Sequence, residues 1–344
     1  MKRTEKKMKQ KSFIVILGII MIFTWSCSGR NNAGNTSESG EKSEGSSKVV
    51  ENFLKEPLYI IVPYAAGGGA DIANRVIAGY LADELGTEVV VENVLGAGGI
   101  VAATQYLTEK PNTNRVLFTN SSLLSYIPLS QKTKFTRDDY EPFFSLQVIQ
   151  FALYAAPSSS GIDSMESLKK YAGENRIVFG GPGHGTPLHS IQSNIYTQMG
   201  ADNDTVTYDN GNQGIVNLIS GDTTVMSTAI SLADQFVQEG SIVPLAILSA
   251  NDYDGIYGKI TSIKNYGYEL YNDMLTMYAI RKGTDPEIIN LLYGAFDRVM
   301  NNETFKAEMA KAQSAEYRNM NGREISIFLD EMDKINKVLV EGNK

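Results

Sequence analysis

The chain alternates short apolar runs with segments in which apolar residues recur at helical spacing. The run at residues 59–62 (YIIV) predicts a buried strand. A helix is predicted from Asp71 to Gly86, because apolar residues recur there every three or four positions until the glycine ends the pattern. Between strand and helix lies a glycine loop at residues 63–69, whose main-chain N–H groups can face inward. A strand, a glycine loop and a helix N-terminus together are typical of a site for a small anion.

The same alternation continues to the end of the chain. Strands are predicted at residues 88–91, 115–119, 146–156, 176–179, 206–208, 225–230 and 242–249. Helices are predicted at residues 100–107, 167–171, 190–199, 215–220, 286–300, 303–312 and 324–340. Because strands alternate with helices, we expect an α/β fold with parallel sheets covered on both faces. The apolar stretch 146–156 predicts a crossing into a second lobe, and 242–249 predicts the return towards the first.

Polar loops follow the predicted strands repeatedly. In the first half these are residues 63–71, a second glycine-rich turn at 92–99 (ENVLGAGG) and the polar end of the third strand at 120–122. In the second half, residues 180–190 (GGPGHGTPLHS) form another glycine-rich loop that opens into a helix. Ligands of parallel sheets bind beyond the carboxyl ends of the strands, so the repetition favours a binding site. The alternative for residues 63–71 is a turn whose glycines serve packing alone.

Two common nucleotide motifs are excluded. No Lys-Ser or Lys-Thr follows the glycines of residues 67–69, so this loop is not a phosphate-binding P-loop. A dinucleotide fingerprint is excluded because Asp71 would repel a pyrophosphate, and because the later glycine cluster ends in Val101 where that pattern requires glycine.

The first 27 residues predict export. Six Lys or Arg residues precede an eleven-residue apolar run at 13–23, which is shorter than the roughly 20 residues that span a bilayer. A basic region, a short apolar region and Ser26 before Cys27 are typical of a secretory signal. Cys27, the only cysteine, lies where a bacterial lipoprotein is cleaved and acylated, although Thr24 and Trp25 fit the lipobox poorly. An ordinary cleaved signal remains the alternative.

Residues 28–55 predict a flexible tether, since the segment up to Lys48 is rich in Ser, Gly, Asn and Glu and has no large apolar residue. Without the signal the chain keeps 25 basic and 38 acidic residues, a net charge of −13. This charge argues against nucleic acid or anionic lipid as partners. An anionic ligand would therefore depend on local N–H groups and dipoles. With a single cysteine, no disulfide can form within the chain.

Four motifs in order carry a family resemblance: VPYAAGGGAD at 62–71, VVVENVLGAGG at 89–99, FGGPGHGTPLH at 179–189, and VTYDNGNQG at 206–214 followed by IVPLAILSA at 242–250. Over residues 56–344 the chain resembles the Bug/TctC family, the extracytoplasmic solute receptors of tripartite tricarboxylate transporters. The resemblance implies a two-lobed fold like that of type II periplasmic binding proteins, with a hinged cleft. It places lobe 1 at residues 56–150 and 248–344, and lobe 2 at 151–247.

The resemblance also implies a function and partners. The expected ligand is a small carboxylate, such as a di- or tricarboxylate, an aromatic acid or an acidic amino acid, held mainly by loop N–H groups and ordered waters. The expected partners are one large and one small permease subunit. We expect a monomer anchored by lipid on the extracytoplasmic side, with no cofactor, no metal and no enzymatic activity.

Matched position by position, the family motifs place ligand-binding residues on both lobes. The first lobe contributes Tyr64, Ala65, Gly68, Gly69 and Asp71, with side-chain donors from Asn120 and Ser121. The second lobe contributes Gly183, Gly185, Thr186, His189, Tyr208 and Asn210. Asp71 is expected to cap the helix and to hold waters or a ligand ammonium group. The alternative for Asp71 is an ion pair with Arg75, one helical turn away.

Several positions depart from the family pattern. Ala66 stands where proline is common, Val94 and Leu95 stand where Arg-Pro is common, residues 112–115 replace an Asp-Gly-Tyr turn, and His184 adds a ring to the second loop. We still expect the fold and the role of the family, but these differences mean that the resemblance does not identify the ligand.

Other classes of function fit less well. His184 and His189, the only histidines, lack zinc-site spacing, and no G-x-S-x-G elbow supports a serine hydrolase. An exported hydrolase therefore has little support. A sensory or scaffolding lipoprotein that uses the same cleft for signalling remains open at this point.

Overall fold

The first sheet contains the strands that flank the predicted glycine loop. The computed structural model describes residues 48–208, 211–255, 258–312 and 316–341. In this part of the chain the first sheet has the order β13-β4-β12-β3-β1-β2. Its strands are β1 (Leu58–Val62), β2 (Val89–Asn93), β3 (Arg115–Asn120), β4 (Tyr140–Ile149), β12 (Met274–Arg281) and β13 (Glu316–Tyr317). β1 pairs in parallel with β2 and β3, whereas β12 is antiparallel to both β3 and β4.

The second sheet has the order β7-β6-β8-β5-β9. Its strands are β5 (Phe151–Ala155), β6 (Ile177–Gly181), β7 (Asn203–Thr207), β8 (Val225–Ala229) and β9 (Val243–Ile247). β6 is parallel to β7 and β8, and β5 is antiparallel to β8 and β9. A separate hairpin joins β10 (Tyr253–Gly255) to β11 (Gly258–Ile260).

Helices cover both faces of each sheet, as the hydrophobic pattern predicts. They are α1 (48–53), α2 (Gly69–Leu85), α3 (Ile100–Tyr106), α4 (Ile127–Ser130), α5 (Pro157–Ser160), α6 (Met165–Glu174), α7 (Pro187–Gln198), α8 (Gly211–Ser220), α9 (Ile230–Gln238), α10 (Pro286–Met300), α11 (Glu303–Ala312) and α12 (Gly322–Glu341). A π-helical turn, Ser122–Tyr126, precedes α4. None of the helices in the described ranges is long and apolar enough to span a membrane.

The last helix, α12, contacts both halves of the molecule. Its first half buries Ile325 and Leu329 in the core beneath β3 and β12. Its second half buries Met332 and Leu339 in the core of the second sheet. The buried Asn336 donates to the Ser125 hydroxyl at 2.7 Å. Since one rigid helix packs on both sheets, α12 links the lobes in addition to the crossing strands.

The structure differs from the expected strands in several places, among them β12, which the sequence pattern did not predict. The stretch 146–156 is two strands, β4 and β5, in different sheets, because the chain changes sheets at Gln150. Residues 242–249 do not return to the first sheet, since β9 pairs with β5. Both sheets are mixed, whereas the sequence pattern predicted parallel ones.

The expected division into lobes assigns each sheet to one lobe, but one segment packs differently. Residues 260–271 fall in the predicted lobe 1, yet Ile260, Ile263, Leu270 and Tyr271 are buried in the cores around the second sheet. Their position follows from the bridge between Ile247 and Ser262, which holds this segment beside β9.

The predicted tether ends earlier than residue 55. Residues 48–53 are helical, and Phe53 is buried in the core beneath β1. The predicted signal peptide, Cys27 and residues 28–47 lie outside the described residues.

At the start of α12, Gly322 lies too close to the backbone of β4 to accept a side chain. A Cβ on Gly322 would lie 2.6 Å from the carbonyl oxygen of Pro142, which is backbone and cannot rotate away. We expect Gly322→Ala to lower the free energy of unfolding by about 1–3 kcal/mol. The matched control is Gly79→Ala in the middle of α2, where the new methyl group meets nothing within 4 Å. The control should be neutral or stabilising by up to about 1 kcal/mol. Urea denaturation of both variants measures the difference, and equal effects would contradict this prediction.

Candidate functional site

The first loop, residues 63–71, leaves the carboxyl end of β1 and opens into α2. Ala65, Gly68 and Gly69 are all exposed. Gly67 has a φ of +81°, a backbone conformation that residues other than glycine rarely adopt. The glycines therefore let the chain turn from strand to helix with its backbone facing solvent.

Asp71 holds this loop in place from beneath. It is 2% exposed and accepts three hydrogen bonds. Its Oδ2 accepts from the N–H of Gly67 and from Nε of Arg75, both at 2.9 Å. Its Oδ1 accepts from Nδ2 of Asn93 at 2.9 Å and forms an ion pair with Nη2 of Arg75, also at 2.9 Å. The hydrogen bond from Arg75 chiefly lowers the pKa of Asp71, to about 2, against the opposing effect of burial.

These contacts favour the ion-pair alternative for Asp71 over the ligand-facing role that the family motif implies. Oδ2 already accepts two hydrogen bonds, and Oδ1 accepts one and pairs with Nη2 of Arg75. Asp71 does not cap α2 by the expected side-chain bond, since the N-cap is Gly68 and no side-chain cap bond is made. It binds the loop to α2 and to the end of β2.

The N–H groups around the start of α2 keep hydrogen-bonding capacity. Gly68 is the N-cap and offers no side chain, whereas Ser164, Thr186 and Asp285 cap their helices with side-chain oxygens. In the loop, Gly68 donates to the carbonyl of Ala65 at 3.2 Å. The N–H groups of Ala65 and Ala66 make no hydrogen bond within the described residues. Unpartnered donors beside a helix N-terminus suit an anion.

Asn93, at the end of β2, is a site residue that the sequence reasoning missed. Besides Asp71, its Nδ2 contacts the carbonyl of Tyr64 at 2.9 Å, and its Oδ1 accepts from Arg75 at 3.1 Å. Asn93 could have been predicted from the sequence, because it lies at the carboxyl end of a predicted strand and inside the second family motif. The turn after it packs on the first loop, since a Cβ on Gly99 would lie 3.3 Å from Pro63 and 3.0 Å from Leu123.

The polar side chains predicted at the end of β3, Asn120 and Ser121, already form hydrogen bonds within the protein. Asn120 donates to the Tyr64 hydroxyl at 2.7 Å and accepts from the N–H of Leu123 at 2.9 Å. Burial raises the pKa of Tyr64. The Ser121 hydroxyl accepts from the N–H of Leu275 at 3.2 Å. Asn120 thus orients Tyr64, and Ser121 joins β3 to the start of β12.

The second loop, residues 180–190, leaves β6 and opens into α7. Gly183 and Gly185 have φ values of +88° and +79°. Thr186 caps α7, because its hydroxyl accepts from the N–H of His189 at 3.3 Å and donates to the carbonyl of Gly183 at 2.8 Å. The N–H groups of His184 and Gly185 make no hydrogen bond within the described residues. This loop therefore resembles the first in offering unpartnered main-chain donors at a helix start.

Tyr208 lies beneath the second loop. A Cβ on Gly180 would fall 1.2 Å from its hydroxyl oxygen, and one on Gly214 would fall 2.3 Å from its ring. The ring therefore occupies space that these two glycines leave open, and burial raises its pKa to about 12. Asn210, predicted beside it, lies outside the described residues.

One short segment connects the two loops. Asn120, which contacts Tyr64, begins the turn that leads through the π-helical Ser122–Tyr126. At its other end the Tyr126 hydroxyl lies 2.8 Å from the hydroxyl of Ser190, in the first turn of α7. Little more than one helical turn therefore separates the contacts to the first loop from those to the second. Both loops lie at the carboxyl ends of their parallel strands, where ligands of such sheets bind.

Comparison with known proteins identifies the family. Residues 73–343 match the family model described as the tripartite tricarboxylate transporter family receptor. The chain belongs to this family. A relative from Cupriavidus necator, described as the UPF0065 protein in the gbd 5′ region, is 26% identical over 299 residues, which cover 85% of this chain and 88% of the relative.

Solved structures show the same two-lobed fold. A TctC solute-binding protein from Polaromonas, without ligand, matches with a TM-score of 0.72 and 21% identity, over 83% of this chain and 98% of that one. MatC from Rhodopseudomonas palustris, with bound malate, matches with a TM-score of 0.68 and 19% identity, over 83% and 99%. A further protein of that species, with adipate, matches with a TM-score of 0.66 and 17% identity, over 83% and 96%. The predicted α/β fold of periplasmic-binding-protein type, and the family itself, are confirmed.

The contacts of Asp71 predict a pH-dependent contribution to stability. Its folded pKa of about 2 lies below the ordinary value of 3.8, so the ionised carboxylate stabilises the fold above about pH 4. This contribution is lost as the pH falls towards 2. We expect Asp71→Asn to lower the free energy of unfolding at pH 7 by about 1–3 kcal/mol, because buried charged hydrogen bonds are weakened.

Thermal unfolding of wild type and variant between pH 2 and 7 measures this effect. The difference between them should be largest above pH 5 and should shrink below pH 4. Asp83→Asn, an exposed position on the same helix, is the control and should change little. A difference that stays constant over the whole range would contradict the role assigned to Asp71.

Proposed function

We propose that this chain is an extracytoplasmic receptor that binds one small carboxylate between its two lobes and delivers it to the permease of a tripartite tricarboxylate transporter. The observation that carries the proposal is the pair of glycine loops, one in each lobe, that present unpartnered N–H groups shortly before α2 (Ala65 and Ala66) and α7 (His184 and Gly185). The membership of the chain in a receptor family supports the same conclusion.

The charges of the first loop suit an anion. Asp71 is the only charged residue of that loop, and Arg75 pairs with it. The exposed N–H groups of Ala65 and Ala66 therefore meet little opposing local charge. Main-chain donors and helix termini can hold a carboxylate without a lysine or arginine. They can therefore bind an anion even though the net charge of this chain is negative.

The proposed ligand-binding set needs adjustment in the light of these contacts. Ala65, Gly68, Gly69, Gly183, Gly185 and Thr186 remain proposed contributors through their backbones, and Ala66 joins them. Tyr64 and His189 remain proposed side-chain contacts. Asp71, Asn120, Ser121 and Tyr208 are proposed to act indirectly, because their polar groups or rings are already engaged in positioning the loops.

The neighbours and the loops together support a dicarboxylate as the proposed ligand class. Two proteins of this fold hold malate and adipate, which are both dicarboxylates. A ligand can bind to one lobe first, and the other lobe can then close over it. Closure requires only that the closed state makes contacts with the ligand that the open state lacks. We propose that the second loop supplies those contacts.

A charge placed in the first loop tests the binding site. Gly68→Asp should abolish binding, since a carboxylate there repels an anionic ligand and a side chain at this position lies 3.2 Å from the carbonyl of Ala65. The control is Gly79→Asp, which adds the same charge about three turns along α2, in open space. Malate, adipate, succinate and citrate are the probes.

Thermal shift and calorimetry of the wild type and both variants measure the outcome. The wild type and Gly79→Asp should show the same ligand-induced rise in melting temperature, and Gly68→Asp should show none while melting normally without ligand. Equal binding by Gly68→Asp would remove the first loop from the site. No binding of any acid by the wild type would overturn the proposed ligand class.

Membrane anchoring is a separate proposal that rests on Cys27. Cys27→Ser should release the chain from the membrane fraction, because the acyl chains that hold a lipoprotein need this thiol. Fractionation of cells that express either form, with mass spectrometry of the mature N-terminus, measures the effect. Equal distribution of both forms would favour the cleaved-signal alternative.

A further inference from the structure

Two imidazole rings lie together on the second loop. The ring centroids of His184 and His189 are 4.2 Å apart, and their planes meet at 49°. His184 is exposed and His189 is half-buried. Neither ring makes a hydrogen bond within the described residues, so both keep their nitrogens available.

The pair is supported from the interior of lobe 2. The His189 ring lies 5.4 Å from that of Phe179, which lies 5.4 Å from that of Tyr196. Phe179 and Tyr196 are both buried. His189 is therefore fixed by packing, and His184 lies against it on the solvent side.

In the two loops, these histidines are the side chains that can change charge near neutral pH. Residues 180–190 contain no Lys, Arg, Asp or Glu, and the charge of Asp71 in residues 63–71 is matched by Arg75. Apart from these histidines, neither loop carries a side chain that can become positive near neutral pH.

We propose that His184, packed against His189, is the proton acceptor of the binding site, so that the chain takes up a proton when a dicarboxylate binds. This inference rests on the proposed function. His184 is the specificity-determining residue, because it presents the exposed ring to the second acidic group of the ligand. The ligand carboxylate then lies against an imidazolium rather than a neutral ring.

The electrostatics of the pair fit one proton rather than two. Burial, and next to it the charge of His184, lower the pKa of His189. Among the described residues packed around the pair, β6 contributes no titratable group, α7 contributes Tyr196, Tyr208 lies beneath the loop, and Tyr126 reaches the first turn of α7 through Ser190. A bound anion favours the protonated form of a neighbouring imidazole, so affinity is greatest at low pH and falls as the ring loses its proton with rising pH.

The test compares wild type with His184→Gln, which cannot be protonated, and His184→Lys, which stays charged. The untagged chain is titrated by calorimetry with malate, adipate and succinate between pH 5.5 and 8.5, in two buffers of different ionisation enthalpy. For the wild type we expect affinity to fall by up to about tenfold per pH unit above neutrality, with uptake of up to about one proton. His184→Lys should bind well without this pH dependence, and His184→Gln should bind weakly and almost independently of pH.

The outcomes separate this inference from the proposed function. Binding by the wild type without proton uptake, or with a pH profile that His184→Gln retains, overturns the role of the pair and leaves the receptor function standing. Failure of the wild type to bind any acid in the panel overturns both. A purely structural role for His184 would change melting temperature in both variants but would not make the lysine and glutamine variants differ in pH profile.

Discussion

The first loop depends on one buried carboxylate. Asp71 joins three pieces of chain that are separate in sequence: the loop through Gly67, the helix through Arg75 and the end of β2 through Asn93. A loop of three consecutive glycines has high conformational entropy when free, and ordering it costs stability. The three hydrogen bonds to Asp71 and its ion pair with Arg75 offset that cost. They also place the negative charge beneath the loop and pair it with Arg75, so the exposed N–H groups remain suited to an anion.

The second lobe reaches a similar arrangement by different means. Residues 180–190 contain no acidic residue. The loop is fixed instead by the cap at Thr186, by contact of Gly183 with Thr207, and by the ring of Tyr208 against Gly180 and Gly214. The first loop is thus held by charge and the second by packing. This difference leaves room in the second loop for groups that respond to pH, because the loop itself has no acidic residue with which they could form an ion pair.

The local parts of this structure could be predicted from sequence, and the long-range parts could not. The unit of β1, glycine loop and α2 is encoded in consecutive residues, and α10 begins at the predicted Pro286 because proline suits a first helical turn. β12 was missed because its place in the middle of the first sheet depends on pairing with strands more than 120 residues away. The sequence predicted a crossing within residues 146–156 but not the break between two strands at Gln150, because both flanking strands are buried and the apolar pattern continues through it.

The same distinction explains the site. The Asp71–Arg75 pair was visible as an alternative because it spans one helical turn, whereas the contact with Asn93 joins residues 22 apart and has no local signature. Main-chain donors are a property of loop geometry and do not depend on which side chains the loop carries. Such donors recognise a carboxylate in general and cannot distinguish one acid from another. Discrimination between acids must therefore come from side chains. The role proposed for His184 fits this requirement, because its ring is exposed, lies within the second loop and has no hydrogen-bond partner among the described residues.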